Sequence, residues 1–200
     1  MEIMFVSDDN LKVAATGVYR EFLELGIPTR DISVARLAHE LGVSQDHIYR
    51  HYNDVNEILI ALLLEIEAES KNRSEAWYAL DGRSPLACLE DSIRTRVEYI
   101  RPYGRVLKAI IEASGQNSTL FLMWNKLLNY YIAKARKNIE SQQASGDIRP
   151  ELDALAAASY LTRGNTQIYV THFGGKQQSP VEEVSHILMQ IWSSVLYLSG

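Results

Sequence analysis

The sequence is nearly without cysteine: Cys88 stands alone in 200 residues, which excludes an intramolecular disulfide framework. No signal-peptide pattern opens the chain, so a reducing cytoplasm is the expected location. Long apolar runs are missing too. The run at 58–64 is stopped by Glu65, Glu67 and Glu69, well short of a bilayer span, so no membrane is expected among the partners. There is no strand-period segment of note, no internal repeat and no low-complexity tract. No Gly-x-Ser-x-Gly, phosphate loop, zinc-protease His pair with its Glu, or Cys–His constellation stands out, so neither catalysis nor a cofactor is expected. A basic excess is lacking as well, the net charge being −5.

What is present is helix. At 46% hydrophobic and 22% charged residues, the chain has the composition of a globular protein and not of a disordered one. The most informative stretch is Ile32 to Asn56, ISVARLAHELGVSQDHIYRHYNDVN. Val34, Leu37, Ala38 and Leu41 share one helical face, and Ser33 stands at the N-cap position. Gly42 ends that helix as the residue that enters the left-handed region at least cost. Ser44 caps a second helix, expected over Gln45–His51, from which Ile48 and Tyr52 turn inward. Ala38 faces that helix, where a small side chain permits close crossing. This is the pattern of a DNA-binding helix-turn-helix, whose second helix enters the major groove by its N-terminal end.

The run LAHELGVSQDHIYRHYNDVNEIL resembles the signature of the TetR family of transcriptional regulators, through Leu37-Ala38, Gly42-Val43-Ser44, Ile48-Tyr49, His51-Tyr52 and Glu57-Ile58-Leu59. The second half resembles the EthR branch in WNKLLNYYIAKARKNIESQQASGDIRP, LTRGNTQIYVTHFGGKQQ and ILMQIWSSVLYLSG, with the fainter likeness between 70 and 115. The expected fold is all-α. A three-helix DNA-binding domain covers 1–54, and a helical ligand-binding and dimerisation domain covers 55–200, about nine helices in all. The resemblance also implies a homodimer through the last two helices and an apolar tunnel for a small effector.

The periodicity supplies the elements. A first helix starts near Ser7, Asp8 and Asp9, carries Leu11, Ala14, Val18, Phe22 and Leu25 at helical spacing, and ends at Gly26 and Pro28. Asp54 and Glu57 have capping-box spacing at the head of a helix expected over 55–79. After a turn at 81–85, helices are expected over 86–100, 103–114, 118–145, 151–172 and 180–198.

Candidate DNA-binding residues are Ser33, Ser44, Gln45, Asp46, His47, Tyr49, Arg50, His51 and Tyr52. Gln45 can pair both edges of adenine, and Arg50 can reach guanine or phosphate. Asp46 is tolerable in the groove where it accepts from cytosine. Tyr49, His51 and Tyr52 position the helix against phosphates or pack beneath it. Lys12 and Arg20 read as solvated charge. His47 and His51 have metal-ligand spacing, but no third ligand lies near in sequence and no metal is expected. Val55 replaces the phosphate-contacting lysine common in the family. Residues 1–70 hold five Lys and Arg against thirteen Asp and Glu, so weak non-specific binding and a shallow salt slope are expected.

Candidate ligand-binding residues are Trp124, Leu128, Tyr131, Thr162, Asn165, Tyr169 and Phe173. Read without the family, Leu120, Trp124, Leu127, Leu128 and Tyr131 form a helical stripe that fits either plain core or a ligand box. Asn165, an amide among Leu161, Ile168 and Tyr169, needs a partner: another side chain, a water or a ligand. The expected function is a ligand-responsive transcriptional regulator, a repressor released from a palindromic double-stranded DNA operator by a small, largely apolar effector. The alternative is a helical small-molecule or lipid-binding protein with weak or lost DNA binding.

Overall fold

The structure, a computed structural model, describes residues 8–71, 76–79 and 82–197. Ser7, residues 72–75 of the expected long helix, Asp81 of the expected turn and Leu198 lie outside the described residues. Within them every regular element is helical: α1 (Asp8–Glu24), α2 (Val34–Leu41), α3 (Gln45–Tyr49), α4 (Val55–Lys71), α5 (Ala76–Ala79), α6 (Pro85–Ile100), α7 (Gly104–Ser114), α8 (Ser118–Ser145), α9 (Ala154–Phe173) and α10 (Val181–Leu196). Short 3-10 turns occupy Thr29–Asp31 and Arg101–Tyr103. The expected all-α architecture is the one observed. No described helix is long and apolar enough to cross a membrane.

Two compact units emerge, one reaching to Ile66 and taking in Arg105–Trp124, the other formed by Glu67–Gly104 and the chain from Asn125 onward. In the first unit, α1 buries Leu11, Ala15, Tyr19, Phe22 and Leu23. The stripe thus runs beside the one expected: Ala14 and Val18 are half-buried, and Leu25 is 66% exposed. The side chain of Tyr19 explains the rotation, since its ring brings more apolar area inside than Val18 would. Burial, and secondarily Asp54, pushes the Tyr19 hydroxyl well above the usual tyrosine range. Arg20 is no solvated charge. It donates to both carboxylate oxygens of Glu65, at 2.7 and 2.9 Å, and ties α1 to α4.

The second unit is knit around Trp77. Its backbone N–H donates to Ser92 Oγ at 2.7 Å, and its carbonyl accepts from Asn138 Nδ2 at 3.1 Å. Its indole N–H donates to the Tyr197 hydroxyl at 2.9 Å, which donates onward to Gln142 Oε1 at 2.6 Å. Trp192 meets Trp77 edge-on, with centroids 5.4 Å apart. Ser84, with Pro85 behind it, starts α6, and Asp153 starts α9 by accepting from Ala156 N at 2.9 Å. That cap moves the start of α9 three residues past the expected position.

Gly104 opens α7 where the backbone of Phe173, the last residue of α9, passes directly over it. A Cβ there would overlap the Cβ and backbone of Phe173. Backbone cannot rotate away as a side-chain tip can. Gly104→Ala is therefore expected to lower stability by about 1–3 kcal/mol, read as a reduced midpoint in urea unfolding.

Candidate functional site

The reading head is assembled from caps and one turn. Ser33 Oγ accepts from Arg36 N and Ser44 Oγ from His47 N, each at 3.2 Å. Between them Gly42 sits at φ +66°, and the N–H of Val43 donates to Ala38 O at 3.0 Å. The turn therefore has the left-handed geometry that glycine takes without strain. Ala38 is buried, as close crossing of α2 and α3 requires. Ile48 is completely buried beneath α3, while Gln45, Asp46, Tyr49 and Arg50 are exposed. His47 and His51 are half-buried, their ring centroids 6.1 Å apart. No cluster of three or more His, Cys, Asp or Glu able to hold a metal occurs among the described residues.

Two details differ from the expected helix. The recognition helix ends at Tyr49, with Arg50 as its C-cap, two residues short of His51. Both His51 N and Tyr52 N bond back to Ile48 O, which tightens the chain and swings Tyr52 inward. Tyr52 is 6% exposed and its hydroxyl donates to Lys12 O at 3.4 Å, so it packs beneath the helix instead of reaching DNA. Burial, and then Glu57, raises its pKa. Past the head, Asp54 Oδ1 accepts from Asn56 N and Glu57 N, and Glu57 accepts from Asn53 N at 2.8 Å. This is the expected capping exchange, returned one residue earlier.

In the second unit, Asn165 has a partner. Its Oδ1 accepts from the Trp192 indole N–H at 2.9 Å, joining α9 to α10. Asn165 also lines a groove of about 400 Å³ on these helices, with Ala156, Tyr160, Gly164, Ile168, Ile191 and Val195 among its walls. The groove is apolar and two of its walls are bare: Tyr160 is 80% exposed and Ile191 41%. The remaining ligand candidates fall elsewhere. Tyr169 and Phe173 are buried and stacked with centroids 6.4 Å apart. Leu128 is buried, and Thr162 and Tyr131 are half-buried. Tyr131 shares a hydrogen bond with Ser70, and its ring lies 4.4 Å beneath the guanidinium carbon of Arg96. Trp124, half-buried on α8, groups with the first unit.

With this geometry in view, the profile of the family described as "Transcriptional regulator EthR, C-terminal domain" matches residues 89–198, more than half the chain. The chain belongs to the EthR-type TetR-family transcriptional regulators.

Solved structures agree on the fold. This EthR-type regulator is similar to a tetR-family regulatory protein from Rhodococcus RHA1, with 17% identity, 95% of this chain and 98% of that one covered, and a TM-score of 0.73. It is similar to the fatty acid degradation regulator FadR from Bacillus halodurans (16% identity, 92% and 93% covered, TM-score 0.68). It is also similar to SmeT, the repressor of the Stenotrophomonas maltophilia multidrug efflux pump SmeDEF (12% identity, 100% and 94% covered, TM-score 0.66). No curated protein sequence matches the chain. Regulators of this family bind operator DNA, respond to small molecules and act as dimers, and they are not enzymes.

Arg96 of this EthR-type regulator escaped sequence reading, because it falls where the family likeness is faintest. Its one sequence signal is a cation placed beside Val97 and between Ile93 and Ile100 on a helix whose face is apolar. For Asn165 the consequence is direct. Asn165→Ala strips the acceptor from a tryptophan that is 5% exposed, and the loss expected in urea unfolding is about 1–3 kcal/mol with no effector present. Unchanged stability would return Asn165 to the ligand alone.

Proposed function

We propose that this protein is a ligand-responsive repressor that reads a palindromic operator as a homodimer and is released by a small, largely apolar effector. The observation that supports this best is the exposed row Gln45, Asp46, Tyr49 and Arg50 on a capped helix, in a chain of the EthR type. Gln45 is suited to adenine, Asp46 to cytosine and Arg50 to guanine or phosphate. Ser33 and Ser44 remain exposed and can donate O–H to phosphate while accepting as caps. The apolar groove of α9 and α10 is suited to pairing with a second copy, since its exposed Tyr160 and Ile191 gain most by leaving water. Two-fold pairing suits half-sites about 34 Å apart. The effector acts only through a difference in affinity between the DNA-competent and released arrangements.

One observation favours a second reading, a small-molecule-binding protein with weak DNA affinity: the acidic excess of residues 1–70, in which Arg20 is committed to Glu65 and leaves four other cations. Gel shifts with the promoter of its own gene separate the two. Arg50→Ala is expected to weaken operator binding by about tenfold or more while leaving the dimer intact. An unchanged shift removes Arg50 from the interface, and no shift at low salt by the wild type favours the second reading. Tyr160→Glu in the groove is expected to give monomers by sedimentation and to lose the operator with them.

A further inference from the structure

Buried polar side chains gather around one tryptophan of the second unit. Ser92 and Asn138, both buried, hold the backbone N–H and C=O of Trp77. The indole is held by a different pair. Its N–H donates to the Tyr197 hydroxyl at 2.9 Å, and that hydroxyl donates to Gln142 Oε1 at 2.6 Å. The ring therefore fills a socket formed by α6, α8 and the C-terminal end of α10, with the edge of Trp192 against it.

One polar atom of that socket is left over. Nothing of Gln142 is exposed, and its Nε2 has no hydrogen-bond partner among the described residues. Turning the amide over is no remedy. The Tyr197 oxygen already takes the indole N–H, so the phenolic proton has Gln142 as its acceptor, and Gln142 has to present its oxygen. Burial holds the Tyr197 hydroxyl above its ordinary value, and so protonated at neutral pH. Nε2 shares a carbon with Oε1, which puts the leftover donor beside the Tyr197 oxygen. A buried donor without an acceptor is costly. The indole has an N–H and no acceptor, so it leaves that bond unmade.

We propose that the Trp77 socket is an effector site, and that its ligand is a flat aromatic lactam that takes the place of the indole. This deepens the reading of the second unit as the effector domain and rests on it. A cyclic amide carries N–H and C=O side by side. The N–H takes over the Tyr197 oxygen, and the carbonyl accepts from Gln142 Nε2, the bond the indole does not make. Because Ser92 and Asn138 keep the backbone, only the side chain of Trp77 has to turn out. The exchange reaches the groove of α9 and α10 by contact: the ring in the socket meets Trp192, and Trp192 donates to Asn165 in that groove.

The test uses the full-length protein and isothermal titration with quinolin-2(1H)-one, its N-methyl derivative and n-octanamide. The lactam is expected to bind about tenfold or more tightly than the N-methyl compound, which keeps ring and carbonyl and lacks the donor. Tyr197→Phe should abolish that preference by weakening the lactam alone, and Gln142→Met should weaken both ring compounds. Displacement is read without either substitution. With 5-fluorotryptophan at the three tryptophans, the Trp77 resonance, assigned by Trp77→Phe, should gain the solvent isotope shift of an exposed ring as the lactam binds. That readout carries the test where Tyr197→Phe or Gln142→Met does not fold. Lactam binding without the shift, equal binding of the N-methyl compound, or binding by none of the three overturns the site. Binding of octanamide alone overturns the site while the effector-domain reading stands. Lactam bound with Trp77 exposed and the operator still held in a gel shift overturns the effector role and leaves the site.

Discussion

An isolated helix of five residues has no stability of its own in water, so the display of Gln45, Asp46, Tyr49 and Arg50 rests on one buried side chain, Ile48. Nothing of it is exposed, and full burial of such a side chain contributes about 1.5–3 kcal/mol. The caps and the turn only direct that contribution. Ser44 supplies the first free N–H with an acceptor, and Gly42 lets α2 stop early enough for α3 to cross it at Ala38. The end of α3 belongs to the same arrangement. By bonding both His51 N and Tyr52 N to the carbonyl of Ile48, the chain spends two residues of potential helix on carrying Tyr52 into the core. The recognition surface is thus the outer side of a small hydrophobic construction.

Charge has to be read locally for the same reason. The acidic balance of the first 70 residues includes Glu65, which is taken up by Arg20, and Glu57, which holds Asn53. These carboxylates are structural partners and do not all face a groove. Equally, Arg20 is lost to phosphate contact, and Arg36 lies 4.9 Å above the ring of Phe22. Lys12, Arg30, Arg36 and Arg50 are the exposed cations of the first 70 residues, Arg30 with Asp31 beside it at 3.9 Å. Affinity built on so few phosphate contacts depends more on base edges than on the backbone.

The reading head was legible because its information is local: hydrophobic period, two serine caps and one glycine lie within twelve residues of each other. The end of α3 was not, since Arg50 and His51 are ordinary helix formers and only the burial of Tyr52 stops them. Asn165 shows the same limit more sharply. Sequence established that an inward amide needs a partner, but Trp192 stands 27 residues away on another helix. Arg96 was the hardest to see. Its significance lies in what α8 and α9 fail to offer it, and a missing partner leaves no mark in the composition of α6.

A half-buried guanidinium without a carboxylate raises the free energy of whatever arrangement encloses it, because hydration lost on one side is not replaced on the other. Arg96, Tyr131 and Tyr169 come from three different helices, so their spacing changes whenever these helices shift against one another. A ligand that bonds to groups on more than one of these helices favours the arrangement in which those groups converge, and favours no other. That is the differential affinity a ligand needs in order to move a conformational equilibrium. A purely apolar ligand contacts several packings of the same helices almost equally well. Directional polar bonds discriminate among them, and that is how recognition and response are coupled in a helical effector domain.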